Sequence, residues 1–451
     1  GTGDFFKIED DGPTAAVPNP QLLSGLVPAK LDESPLPGDG GDGVYSATVD
    51  VSAAFGTTAA GSYGTDVPGS TSYAVKLTGG DVGSGLYLLD NTQPNGKGAE
   101  IMLHDNGDGT VSGVVDSTTV FTISVSSAGV VTFAYANQTD PVNIWHANTG
   151  SNDDASALTT ATSGQLVVVQ TLTDADGDTV TSGGLDIGTG GFFKIEDDGP
   201  TAPSLSANTA GAVTHDESAG LQNSGTATAT EDNNDNDVAG STSITFNSVS
   251  TTVAALFASI TTANGATPGD DLDVAGTDPL GYAAGTASVV TLSGGSFGTD
   301  GPAASGSTSY ALQVTDGTYS GVRTTDGHDI FLYAGSGATA GLILGRVGTE
   351  ASATPGSDTA NASGDVAFAL SIDPLTGELY VVQYLSVEQT TTTSSHDESV
   401  SLAPDALQVA VTYTDGDGDH ATGTLDIGGQ VKFEDDGPSI GTVDLATLDN
   451  A

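Results

Sequence analysis

Two stretches of this sequence set aspartate at alternate positions around a glycine: "TDADGDT" at 173–179 and "TDGDGDH" at 414–420. Their carboxylates are Asp174, Asp176 and Asp178, then Asp415, Asp417 and Asp419. On a flat strand alternate side chains share a face, so three like charges would repel one another. Gly177 and Gly418 let the backbone curl so that the carboxylates surround a point. A hard cation that takes six to eight oxygens then resolves the repulsion. The spacing is that of the first half of an EF-hand loop, but the closing Glu is absent. Leu185 and Asp426 stand at the twelfth positions, and no helical pattern flanks either motif. The expectation is a calcium site in a β loop. A solvated acidic turn is the competing reading, and recurrence at equivalent positions counts against it.

A second acidic motif punctuates the chain. "FFKIEDDGP" occupies 5–13 and 192–200, and "VKFEDDGP" occupies 431–438. Alternation puts Phe6 with Ile8, Phe193 with Ile195, and Val431 with Phe433 on one strand face. Lys7, Lys194 and Lys432 fall on the other face with Glu9, Glu196 and Glu434, beside acids they partly neutralise. Asp10-Asp11, Asp197-Asp198 and Asp435-Asp436 follow, and Gly-Pro ends each strand. A short "DES" lies about 20 residues further on: Asp32-Glu33-Ser34, then Asp216-Glu217-Ser218. The expectation is that Asp197 and Asp198 share a cation with Asp216 and Glu217 across a junction. The competing reading is a flexible charged linker. Asp397-Glu398, in a further "HDES", are added candidates, while "EDNNDND" at 231–237 and "DNGDG" at 105–109 are weaker ones.

Composition limits the partners. Eight Lys+Arg face 58 Asp+Glu, a formal net charge of −50, which excludes nucleic-acid backbones and anionic membrane surfaces and invites cations. Disorder is argued against by the 37% hydrophobic residues, because they fall in alternating patterns. With no cysteine there is no disulfide and no thiolate metal site. No signal peptide is recognisable, and the apolar run "VAALFASI" at 253–260 is far too short to span a bilayer. Abundant Gly, Thr, Val, Ser and Asp make a β-and-turn composition.

The motifs recur in a fixed order: "DES", "GSTSYA" at 69–74 and 306–311, a hairpin, the DxDGD loop, "LDIG" at 185–188 and 425–428, then the acidic punctuation. In the first hairpin Phe121, Ile123 and Val125 alternate, "SSAG" turns, and Val131, Phe133 and Tyr135 return. In the second, Phe368, Leu370 and Ile372 alternate, "DPLTG" turns, and Leu379 and Val381 return. Such self-similarity predicts tandem all-β sandwich modules of Ig-like or Greek-key type, in an elongated array with little helix. The expected boundaries are a preceding tail at 1–13, units at 14–199 and 200–438, and the start of a following unit at 439–451. The second cycle is longer, and nearly all of its extra length falls in 218–305. That segment is a long loop, an added sub-sheet or a small inserted domain; "STTVAALFASITTANG" at 250–265 carries the helix signals.

Enzyme signals are thin. "GGSFG" at 294–298 matches G-x-S-x-G, but a Gly- and Pro-rich stretch follows where a helix should. The six histidines form no HExxH, and His215 and His396 read as turn residues beside the "DES" acids. No phosphate loop is present.

The ordered set "GSTSYAL", "FALSIDPLTGELYVVQYLSV", "HDESVSL" and "VTYTDGDGDHATGTLDIGGQVKFEDDGP" resembles the tandem repeat of type I-secreted giant RTX adhesins of Gram-negative bacteria. Residues 300–438 carry the full pattern, residues 60–200 carry it less faithfully, and 218–299 is poorly covered. The resemblance implies β-sandwich modules exported through a type I channel, with the secretion signal C-terminal to this chain. They would fold outside the cell on meeting calcium, within a long surface-anchored fibre. Its partners would be neighbouring repeats and a host-cell or surface ligand, with no nucleic acid and no membrane insertion. A ligand-binding module and a hydrolase domain are the rival functions.

Overall fold

Runs rich in β-branched and aromatic residues, separated by Gly-bearing turns, make strands throughout the chain. The computed structural model describes all residues except 1–5, 36–42, 57–59, 140, 149–152, 218–234, 247–248, 273, 351–352, 390–397 and 436–451. Asp397, Asp436 and the first four residues of "EDNNDND" lie outside the described residues. The chain forms two compact units, each all-β. One comprises Gly1–Thr201, Ser296–Ser307 and Tyr413–Ala421; the other comprises Ala202–Gly295, Thr308–Thr412 and Thr422–Ala451.

In the first unit a six-stranded antiparallel sheet runs in the order Ser46–Asp50, Val130–Tyr135, Thr118–Val125, Val111–Val115, Lys97–Asp105, Val82–Leu89. Its central hairpin pairs Phe121 with Tyr135, Ile123 with Phe133 and Val125 with Val131. Gly129 closes the turn at φ 79°, a left-handed value that favours glycine. A second sheet pairs Ser70–Leu77 with Leu166–Thr173, which also pairs with Thr179–Thr181 and Leu185–Asp186. The DxDGD loop joins Leu166–Thr173 to Thr179–Thr181. The punctuation strand, Phe193–Glu196, lies between Ala29–Asp32, to which it is parallel, and Ala155–Ala157.

The second unit repeats this plan. Its six-stranded sheet runs Gly281–Ala284, Leu379–Gln383, Val366–Ile372, Ile343–Val347, Asp329–Ala334, Thr318–Arg323. Gln408–Thr414 lies between Thr308–Gln313 and His420–Asp426. Val431–Glu434 lies between Val213–Asp216, again parallel, and Ser399–Ser401.

The apolar face of each punctuation strand anchors a core. Phe193 and Ile195 are buried, with the Phe193 ring 5.2 Å from Phe133, which stands 5.1 Å from Phe121. In the second unit Phe433 packs 4.9 Å from Phe368. The extra segment of the second cycle includes, among its described residues, a small hairpin of Ser243–Phe246 and Val249–Thr252 followed by the α-helix Val253–Leu256. Thr252 caps that helix by accepting from the Ala255 N–H. Val253, Phe257 and Ile260 form a separate apolar cluster with Leu344, Val366, Tyr380 and Val382. The second unit's sheet is therefore covered on both faces: Val366–Ile372 is buried at every position, whereas Thr118–Val125 of the first unit alternates with exposed or half-buried residues.

Candidate metal centre

Both DxDGD loops have one geometry. The first aspartate caps its own loop: Asp174 Oδ1 accepts from the N–H groups of Gly177 (3.1 Å) and Asp178 (2.8 Å), and Asp415 Oδ1 does the same for Gly418 (3.1 Å) and Asp419 (2.8 Å). Gly177 at φ 107° and Gly418 at φ 109° make the curl, a backbone shape that other residues rarely adopt. Capping uses one oxygen and leaves Asp174 Oδ2 and Asp415 Oδ2 buried without a donor.

The "DES" and punctuation acids meet for a topological reason. Parallel pairing of Asp32 with Glu196 brings the carboxyl ends of two strands together, so Glu33 meets Asp197 within one unit. The same pairing sets Asp216 beside Glu434. Asp197 and Asp198 therefore do not pair off with Asp216 and Glu217, as the spacing along the chain predicts; each "DES" joins the punctuation that closes its own cycle. Likewise the cation on Glu196 is Lys30.

The deepest cluster belongs to the first unit and draws on both sequence cycles. Asp197, Asp300 and Asp417 bring carboxylate oxygens within 4.8 Å of one another, and a ring nitrogen of His146 comes equally close to carboxylate oxygens of Glu33 and Asp197. Glu33, Asp197, Asp300, Asp415, Asp417 and Asp419 are all buried. Eight of their oxygens find no hydrogen-bond donor: Glu33 Oε2, Asp197 Oδ2, Asp415 Oδ2, Asp417 Oδ1, and both oxygens of Asp300 and Asp419. Among the described residues no lysine or arginine forms an ion pair with them.

Burial, followed by like charge, shifts these groups upward. Burial and then Asp300 push Asp197 up to about 9. Burial and then Asp417 push Asp300 to about 8, burial and then the Asp417 carboxyl push Asp415 to about 8, and burial and then Asp417 push Asp419 to about 6. Burial also raises Glu33 well above the carboxylate range. Carboxylates so placed need protons or a cation, since isolated buried charge is costly.

Neighbouring polar groups hold the cluster in place. Asp417 Oδ2 accepts from the His146 N–H at 3.0 Å, and the Asn148 amide donates to the Gly418 carbonyl. Asn91 donates to the Asp300 carbonyl at 2.9 Å, and Asn143 to the Thr299 carbonyl at 2.6 Å. Asp198 is an organiser as much as a ligand candidate, since its Oδ2 accepts from Thr299 N–H at 2.8 Å. Asp32 similarly accepts from Ser34 N–H at 2.7 Å. Gly298, at φ 71°, touches the Asp198 backbone so closely that a Cβ would collide with its carbonyl.

A second cluster in the same unit opens to solvent around the buried Asp174. Asp10, Asp176 and Asp178 converge, as do Asp66, Asp174 and Asp176. Asp11 sits against Gly64, which repeats the Gly298 arrangement at φ 73°. In the second unit Asp216 and Asp237 are buried near Asp235 and Glu434, and the Asp216 N–H donates to Asp237. Burial, then hydrogen bonds acting the other way, leaves Asp237 at about 8. Glu217 accepts from the Val387 N–H at 2.8 Å, with Asp435 nearby, and burial first of all raises it to about 8. Asp435 N–H donates to the Glu398 carbonyl, so Glu398 enters this region through its backbone.

Three participants lie outside the sequence-derived set: Asp66, Asp300 and His146. A signal for the first two is present, because "GSYGTD" at 61–66 and "GSFGTD" at 295–300 place them at equivalent positions. The same "GGSFG" that mimics a nucleophile elbow is thus the turn that delivers Asp300. His146 has no such signal.

One family profile matches residues 29–188 and 212–428, most of the chain and one stretch in each sequence cycle. The chain belongs to the DUF5801 family, a domain of unknown function. In this DUF5801 chain both matched stretches contain a DxDGD loop, and the second also contains Asp300. No curated protein matches the chain.

Proposed function

We propose that this chain is a calcium-stabilised segment of a large repetitive adhesin of the RTX type, exported by type I secretion to the cell exterior. Its role is structural: it extends or supports modules that attach to a host cell or other surface, and its nearest partners are neighbouring repeats. The carrying observation is the buried cluster of Glu33, Asp197, Asp300, Asp415, Asp417 and Asp419, with its eight donor-less oxygens. Calcium takes six to eight oxygens at about 2.3–2.6 Å, which fits a donor set rich in carboxylates. One cation there would tie residue 197 of the first sequence cycle to residues 300 and 417 of the second. Calcium scarcity inside a cell would leave these carboxylates repelling one another, and calcium outside would complete the fold.

A non-catalytic role is supported by what the shifted groups face. They converge on one another, the arrangement that a bound cation needs. A ligand-binding role is the second reading. It is favoured by a depression of about 580 Å³ in the first unit lined by Pro18, Pro20, Leu23, Leu26, Pro28 and Phe192.

The test is thermal melting in chelator and in calcium. Binding to the native state alone stabilises by about 2.7 kcal/mol at a hundredfold excess over Kd. A clear rise in Tm with calcium, and a smaller one with magnesium, is expected. An unchanged Tm sinks the proposal.

A further inference from the structure

Calcium prefers oxygen, yet His146 sits in the cluster wall. Its side chain is 1% exposed and neither ring nitrogen has a hydrogen-bond partner. A buried imidazole ordinarily satisfies at least one nitrogen. Whichever nitrogen carries the proton, the ring leaves both a lone pair and an N–H without a hydrogen-bond partner. Nε2 stands 3.7 Å from Glu33 Oε2, too far for a hydrogen bond. Two ligands of one metal at about 2.0–2.2 Å are themselves about 3–3.5 Å apart, close to that separation.

Glu33 and Asp197 are each held through one carboxylate oxygen and leave the other for a metal, while His146 is held through its backbone and leaves its ring. Glu33 Oε1 accepts from the Ile144 N–H at 2.7 Å, and Oε2 has no donor. Asp197 Oδ1 accepts from the Asp198 N–H at 2.8 Å, and Oδ2 has no donor. The backbone of His146 is pinned by its N–H bond to Asp417. The donor atoms of Glu33, His146 and Asp197 lie within 4.8 Å of one another, and Asp197 also belongs to the group with Asp300 and Asp417.

The second cycle makes the choice of residue informative. Glu217 accepts from Val387 N–H as Glu33 does from Ile144 N–H, so Gln389 occupies the place of His146. Glutamine offers a hard ion an oxygen. Histidine offers only nitrogen, which suits zinc, cobalt, nickel and copper. We propose that Glu33, His146 and Asp197 form a separate site for a borderline divalent transition metal of the zinc class, with Asp197 bridging it to the oxygen-only calcium position. The proposal rests on reading the cluster as a metal centre but not on the identity of the ion held by the aspartates.

Co2+ is the probe, added to the full chain in saturating calcium. One Co2+ per chain is expected, with the visible absorption of a low-coordinate ion, and stoichiometric Zn2+ should displace it. His146→Gln, which installs the residue of the second cycle, should abolish the band while calcium still raises Tm. His104→Gln, at an exposed histidine, should leave the band unchanged. Glu33→Gln serves as a second variant, with the same loss expected, should His146→Gln fail to fold. No Co2+ binding by the wild type, or a band that survives both His146→Gln and Glu33→Gln, overturns the site. A Co2+ band without any calcium effect on Tm would instead sustain this site and remove the calcium reading.

Discussion

Replacing Asp300 by asparagine should stabilise the protein without calcium and weaken its response to calcium. Asp300 is 3% exposed, neither carboxylate oxygen has a donor, and burial, then Asp417 and Asp415, holds its pKa near 8. An unfolded aspartate titrates at about 3.9, so between about pH 4 and pH 8 the native state holds a proton that the unfolded chain has released. Stability from this group is therefore fully present below the unfolded value and falls as pH rises through the window. At pH 7 the cost is at most about 4 kcal/mol, from 1.36 kcal/mol per unit over about three units. Asparagine keeps the shape and carries no such cost, leaving a buried amide in place of a buried acid. For a unit of about 200 residues, the gain corresponds to a Tm rise on the order of 10 °C at pH 7, and less at pH 5. With calcium the order should reverse, because the variant lacks a ligand. The assay is thermal melting of both proteins at pH 5, 7 and 8, in chelator and in calcium. If the variant is no more stable in chelator, or its advantage fails to grow from pH 5 to pH 8, the reasoning from buried like charge is wrong.

Asp415→Asn keeps an acceptor for the Gly418 and Asp419 N–H groups, so the loop should fold while calcium affinity, read by titration calorimetry, falls at least ~10-fold. Gly298→Ala forces a side chain into φ 71° against the Asp198 carbonyl and should cost about 1–2 kcal/mol or more and weaken calcium binding. Gly64→Ala, at the solvent-facing cluster, should carry a comparable backbone penalty but spare the buried site. Phe133→Ala removes the ring between Phe121 and Phe193 and should cost about 3–5 kcal/mol by denaturant unfolding, with calcium raising stability by the same increment in the refolded variant.

The fold was legible because its signals are local and repeated. Alternation at Phe121–Val125 and Val131–Tyr135, the turn glycines, and the apolar face of Phe193 and Ile195 each specify a strand with no reference to distant residues. The α-helix at Val253–Leu256 likewise announces itself through Thr252. The DxDGD carboxylates and the acids at 33 and 197 were legible for the same reason. Their grouping was not. Asp32 and Glu196 are partners in a parallel pair that no local pattern encodes, and proximity along the chain points to Asp216 instead. Asp300 is concealed in a glycine-rich turn whose meaning emerges only when 61–66 and 295–300 are compared. His146 defeats even that comparison, because its counterpart is Gln389 and a residue that does not repeat leaves no period to detect.

Whether a cation occupies the buried carboxylates decides between a calcium-built fold and a merely acidic one. Crystals of the chain grown in calcium, measured where calcium scatters anomalously, address this most directly. The expected result is an anomalous peak bounded by Asp197, Asp300 and Asp417, with carboxylate oxygens at about 2.3–2.6 Å. An ordered Asp197, Asp300 and Asp417 cluster with no peak, its oxygens joined by shared protons or by water, would contradict it.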